Sequence, residues 1–158
     1  MSDKRPNMLL ICVDQMRADT PGCNGNAVCR TPHLDRLAAS GVNFRRAYSP
    51  SSLCTPARAS MLTGRFAFNH GMLNNCDLYH PAREELPEDQ PLLTDRLRAA
   101  GYRLGHIGKW HVGKRQGPAA YGFEGMDLPG YGDIRNDHGF RDYLNRNDLH
   151  YEIREPIY

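Results

Sequence analysis

Three short stretches carry residue types that can do chemistry together. The first is Cys54-Thr55-Pro56-Ala57-Arg58, a Cys-x-Pro-x-Arg. A chance match in a chain of this length has a probability of roughly one in a hundred, so the motif is informative. Its cysteine stands at the start of an expected helix, whose free N–H groups favour a negative centre. Arg58, one turn inside, can brace that loop. The second stretch is Asp14-Gln15, at the end of an apolar run. A carboxylate and an amide oxygen suit a hard cation such as Ca2+ or Mg2+. The third is Gly108-Lys109-Trp110-His111-Val112-Gly113. In an extended segment residues i and i+2 face one side, so Lys109 and His111 point together and Trp110 packs opposite. A fixed cation beside a titratable imidazole suits an anionic ester: Lys109 for charge, His111 for charge or for a proton to the leaving oxygen. A nucleotide-binding P-loop is excluded, because Gly108-Lys109 lacks the following Ser or Thr. Asn74-Asn75 is a weaker signal and reads equally well as a turn.

These residues need a frame. Residues 7–13 read as a strand apolar on both faces, as in a parallel sheet covered by helices. Thr31-Pro32 opens a helix, Thr31 as N-cap, with Leu34, Leu37 and Ala38 at helical spacing and Gly41 at its end. Residues 42–48 read as a second strand, 49–55 as a Ser/Pro-rich loop, and Ala57 to Leu62 as a helix stopped near Gly64. Pro91 opens a further helix through Ala100, with Leu92, Leu93 and Leu97 inward and Gly101 closing it. Residues 102–107 read as a third strand, the Gly-dense 113–133 as mostly loop, and 137–147 as an amphipathic helix. Strands alternating with helices predict an α/β layered fold. Sites in such folds form beyond the carboxyl ends of strands. Asp14, the Cys54 loop and Lys109–His111 all fall just past expected strand ends.

Composition excludes several classes. The 158 residues suffice for a domain with a real core, and 40% apolar with 24% charged residues is a globular balance. The net charge is +2 with both signs interspersed, which argues against a nucleic-acid partner. No apolar run approaches the ~20 residues of a membrane span, and the run 8–13 is too short for a signal peptide, so a cytoplasmic protein is expected. Five cysteines, an odd number without Cys-x-x-Cys, do not suggest a disulfide framework. Cys23, Cys29 and His33 match no standard zinc spacing. Each motif also has a plain structural reading: a buried turn cysteine, a solvated strand-end pair, a surface lysine and histidine. Their joint presence near strand ends is what favours chemistry.

Residues 52–65, Ser-Leu-Cys-Thr-Pro-Ala-Arg-Ala-Ser-Met-Leu-Thr-Gly-Arg, resemble the signature of the type I, formylglycine-dependent sulfatases of the alkaline phosphatase superfamily. Gly108-Lys109-Trp110-His111 is similar to a second family motif, and the resemblance runs from Pro6 to about Asp127. It implies an alkaline-phosphatase-like fold: a mixed, mostly parallel sheet flanked by helices, of which residues 1–158 are the N-terminal part of a catalytic domain, a fragment of a longer chain. It further implies that Cys54 is oxidised to formylglycine by a formylglycine-generating enzyme, with Arg58 as its stabiliser. Lys109 and His111 would contact sulfate. Asp14, Gln15 and the modified Cys54 would bind Ca2+, or alternatively Mg2+ or Mn2+. Many sulfatases carry Asp-Asp where this chain has Asp14-Gln15. Choline-sulfatase-like and phosphonate-hydrolase-like relatives carry Asp-Gln, and a substrate-contacting Asn at the spacing of Asn75. The expected substrate is a small-molecule or sugar sulfate ester. The rivals are a phosphonate monoester or phosphodiester hydrolase, which tends to carry Tyr and Thr in place of Lys109 and His111, and an inactive truncated remnant, since further metal ligands and a second lysine come from later sequence. The sequence leaves a homo-oligomer open.

Overall fold

The computed structural model describes residues 5–78 and 83–150. The chain divides into two compact units, Met1–Tyr48 and Ser49–Tyr158.

In the first unit, helix α1 spans Pro32–Ser40, close to expectation. Thr31 holds the N-cap position as expected, but its side chain makes no capping hydrogen bond. Its hydroxyl instead accepts the Gly22 N–H at 2.8 Å and donates to Asp35 at 3.0 Å. Asp35 also accepts the Cys23 N–H at 2.7 Å, so α1 is tied to the 3-10 turn Gly22–Asn24 by side chains. The expected strands at 7–13 and 42–48 do not form. A strand exists only through a partner ladder, and none reaches either segment among the described residues. Local turn bonds take over in the second, with Arg45 N–H donating to Asn43 O at 3.1 Å and Ala47 N–H to Phe44 O at 3.3 Å. Leu9, Leu10, Ile11 and Phe44 consequently lie exposed, as does Leu37 on α1.

The second unit holds the core. Helix α2 spans Cys54–Thr63 and starts earlier than expected, with Cys54 as its first residue. Pro56 falls in the first turn, where its missing N–H costs nothing. Gly64 ends the helix in the left-handed region at φ 69°, its N–H bonded to Ser60 O. Helix α3, Ala67–His70, packs on α2. Helix α4, Leu93–Ala99, also touches α2. Its inward face differs from expectation: Thr94 is buried, Leu92 lies against the core ahead of the first turn, and Leu93 is exposed. The expected strand over 102–107 shrinks to β1, Gly105–His106, paired in parallel with β2, Glu124–Gly125. Tyr102 N–H is taken by Leu97 O, which keeps the residue in the helix terminus. A Cβ on Gly125 would stand 3.0 Å from His106 O, at a φ of 100°, so the ladder needs glycine there. Helix α5, His138–Arg146, is capped by Asp137, which accepts the Phe140 N–H at 2.7 Å.

The core joins Ala59 and Leu62 of α2 to Met72, Cys76, Leu86, Trp110, Val112 and Tyr121. Trp110 lies 5.0 Å from Tyr121 and 5.9 Å from Phe123 between ring centroids, and its indole N–H donates to Gln116 O at 3.0 Å. That anchor fixes the residues on either side of it. Among the described residues, no helix is long and apolar enough to cross a membrane.

Candidate active site

Cys54 sits half-buried at the first position of α2, where the helix dipole favours negative charge. Thr55 behind it is fully buried and ties the helix start to the segment after α3. Its hydroxyl accepts the Cys76 N–H at 3.2 Å and donates toward Cys76 Sγ at 3.6 Å. Its own N–H donates to Asn75 Oδ1 at 3.1 Å. Asn75 therefore stands at the rim of the Cys54 turn.

Lys109 approaches from the segment after β1. Its Nζ donates to Cys54 Sγ at 3.4 Å. Arg58, one turn into α2, donates from its guanidinium to Lys109 O at 2.7 Å. Helix and lysine are thus locked to each other from both ends of Lys109, by its ammonium and by its carbonyl. Lys109 Nζ also rests 4.0 Å from the centroid of the Tyr131 ring.

His111 departs from the extended geometry predicted for 108–113. Its φ is 53°, left-handed for a residue with a Cβ, and its N–H donates to Gly130 O at 2.7 Å. Lys109 and His111 still converge, because the same Tyr131 ring lies 4.2 Å from the imidazole. Trp110 between them faces the core, as predicted. His111 is fully buried, and its Nε2 lies 2.8 Å from Asp77 Oδ1. Burial holds its pKa below the usual histidine value; Asp77 opposes that shift, while the charges of Lys109 and Arg58 add to it. Its Nδ1 is buried with no hydrogen-bond partner among the described residues.

Two other described histidines differ in part: His106 is half-buried, and its Nδ1, like that of His111, is without a hydrogen-bond partner among the described residues. His70 is buried, with Nε2 3.0 Å from Ser60 Oγ and Nδ1 accepting the Met72 N–H at 3.1 Å. Both nitrogens are satisfied, and burial lowers its pKa. His106 packs edge-on against Trp110, and burial lowers its pKa too, helped by Arg58.

Asp14 and Gln15 belong to the first unit. They lie in an exposed turn rather than at a strand end, with Gln15 at φ 55°. Their oxygens suit Ca2+, Mg2+ or Mn2+ in kind, but two side chains are too few for a cation that takes six or more oxygen ligands. Cys76, Asp77 and His111 form a different group, with one potential donor atom each, all within 4.8 Å of one another.

The second unit therefore assembles Cys54, Arg58, Asn75, Lys109 and His111 from three separate stretches. Asp77 and Tyr131 were not singled out from the sequence. Asp77 follows closely on Asn74-Asn75, and Tyr131 is an aromatic residue flanked by glycines in an otherwise loop-like stretch; those were the only signals.

Comparison with known proteins bears on this arrangement. The sulfatase family model matches residues 6–157. Bovine (Bos taurus) arylsulfatase A is 40% identical over 139 residues, 88% of this chain and 25% of that protein. Human (Homo sapiens) steryl-sulfatase is 39% identical over 113 residues, 69% of this chain and 19% of that protein. Among solved structures, the phosphonate monoester hydrolase of Agrobacterium radiobacter superposes with a TM-score of 0.70 at 27% identity, over 91% of this chain and 29% of that one. The chain thus spans about a fifth to a quarter of the length of the curated relatives it matches. Its helices and parallel strand pair are a partial α/β domain of the alkaline-phosphatase-like kind. With the family model covering nearly all of it and the Cys-x-Pro-x-Arg motif at a helix start, the chain belongs to the sulfatase family.

Proposed function

We propose that this chain is the N-terminal, nucleophile-bearing part of a sulfuric ester hydrolase acting on a small-molecule or sugar sulfate. The observation that carries the reading is the Lys109 ammonium set 3.4 Å from Cys54 Sγ at the start of α2. Sγ marks the place of the oxygen that would be attached to Cβ after conversion. Oxidised to formylglycine, Cys54 supplies a hydrated aldehyde whose hydroxyl is the nucleophile toward sulfur. A half-buried position on a helix N-terminus, faced by an ammonium group, fits that oxygen-bearing group. A divalent cation would supply Lewis acidity toward the sulfate oxygens; Asp14 and Gln15 offer oxygens of the kind it takes, with further ligands from beyond this chain.

The chain's own residues then divide the work. Lys109 holds the anionic group and offsets charge growing on its oxygens. Arg58 fixes the Lys109 backbone. His111 supplies the proton that the ester oxygen needs as it leaves. Asn75 borders the turn and is placed to meet a substrate oxygen.

A second reading, phosphonate monoester or phosphodiester hydrolysis, is favoured by the similarity to the Agrobacterium enzyme and by Asp14-Gln15. The ammonium–imidazole pair of Lys109 and His111 favours a sulfate monoester instead. The test begins with co-expression of the complete enzyme with a formylglycine-generating enzyme. Peptide mass spectrometry should show Cys54 converted to the aldehyde or its hydrate, and an aryl sulfate should be turned over faster than an aryl phosphonate. An unmodified Cys54, with a control sulfatase converted alongside, would refute the nucleophile; preference for the phosphonate would transfer the assignment to the second reading.

A further inference from the structure

We propose that Asp77 is the positioning residue of His111, fixing the proton on Nε2 so that Nδ1 is the nitrogen presented to the reacting group. The inference deepens the sulfatase reading and rests on it for the identity of that group.

Three observations support it. His111 Nε2 lies 2.8 Å from Asp77 Oδ1, while the imidazole has no exposed surface and the Asp77 side chain keeps 32% of its own. An ionised carboxylate only accepts hydrogen bonds, so Nε2 is the donor and the neutral ring carries its proton there. The opposite nitrogen, Nδ1, is buried without a partner among the described residues. A buried polar atom with nothing to bond is costly in a folded protein, and such groups concentrate where a ligand completes them. His70, equally buried, uses both its nitrogens internally; His106 Nδ1 is orphaned as well, so it is the Asp77 contact on the opposite nitrogen that distinguishes His111. Finally, His111 adopts φ 53°, a conformation residues with a Cβ avoid, and its N–H is pinned to Gly130 O at 2.7 Å. The chain holds this imidazole in one orientation against its backbone preference.

The groups facing His111 act in opposite senses. Asp77 favours the imidazolium; burial, Lys109 and Arg58 disfavour it. Tyr131 covers the ring at 4.2 Å. A carboxylate partner on a buried ring holds the productive tautomer and stabilises the charge that forms on it. Without Asp77, the ring could place its proton on either nitrogen, and the imidazolium would be harder to form.

The experiment uses the complete, formylglycine-bearing enzyme with 15N-histidine labelling. Wild-type enzyme should show His111 with Nε2 protonated and Nδ1 bare in the neutral form; the Nδ1–H tautomer in wild type would by itself overturn the proposal. Asp77→Asn should give mixed or inverted tautomers and a lower His111 pKa. It should also lower kcat/KM for a poor-leaving-group sulfate by roughly tenfold to a hundredfold. The high-pH limb of kcat/KM should move to lower pH, because the acid form of His111 is lost sooner, while KM changes little. Asp77→Glu, which restores a carboxylate, should recover the wild-type tautomer. If Asp77→Asn folds and leaves the tautomer and the pH limb unchanged, Asp77 is only structural. If His111 responds to Asp77 as stated but no sulfate ester is turned over by wild type, the sulfatase reading fails and the pairing stands.

Discussion

Lys109 and His111 meet on the ring of Tyr131, and each contributes something the other does not. The lysine is a fixed charge beside Cys54 Sγ; the histidine is a buried titratable ring with one uncommitted nitrogen. Losing a charged contact made in the transition state typically costs several kcal/mol, roughly 10²–10³ in rate. Lys109→Ala and His111→Ala should each lower kcat/KM for a sulfate ester by that order in the complete enzyme. The two should differ in leaving-group dependence. A proton donor matters most when the leaving oxygen is basic, so His111→Ala should injure an alkyl sulfate more than a nitrophenyl sulfate. Lys109→Ala should injure both alike. Equal losses on both esters for His111→Ala would reduce that residue to a binding role.

At the scale of elements, α2 is the part on which the site depends. Its first turn is held by Thr55, whose hydroxyl is the acceptor for the buried Cys76 N–H. Thr55→Val keeps the shape and removes the acceptor, leaving a buried donor unsatisfied at a cost of about 1–3 kcal/mol. The expected result is a lower denaturant midpoint with an unchanged m-value; an unchanged midpoint would show that the hydroxyl supports nothing. Helices α1, α2, α4 and α5 were legible in the sequence because proline, glycine and aspartate mark their ends and their spacing is local. Of the strands, only β1 falls inside an expected one. A strand needs a partner distant in sequence, and the apolar runs 7–13 and 42–48 find none among the described residues. Cys54, Arg58, Lys109 and His111 were legible because short motifs carry them. Asp77 and Tyr131 were not, because each reaches His111 across a stretch of chain with no periodic pattern. The geometry behind the Lys109–His111 pairing was also misread: the segment is not extended at His111, and the shared ring restores the convergence.

Over the whole molecule, the exposed ion pairs Arg17–Asp19 and Arg103–Glu124 contribute little, since solvent screens them. The buried histidines matter more to how stability varies with pH. His70, His106 and His111 all have pKa values held below the ordinary 6.5, in each case chiefly by burial. The unfolded chain therefore binds more protons than the folded one as pH falls through that value. Their contribution is fully present above the unfolded pKa and is lost as pH drops toward the lowered folded values. The thermal midpoint should fall between about pH 7.5 and pH 5.5, before most carboxylates titrate. A midpoint that holds steady or rises over that interval would contradict the burial of these rings.

The left-handed backbone at His111 sets protein engineering against itself. A side chain with a Cβ gives up about 1–2 kcal/mol there. Glycine avoids that penalty, and asparagine tolerates the conformation better than most residues. Either replacement would also empty a fully buried place and strip Asp77 and Tyr131 of their contact, so relief of the backbone and filling of the interior pull in opposite directions at this one position.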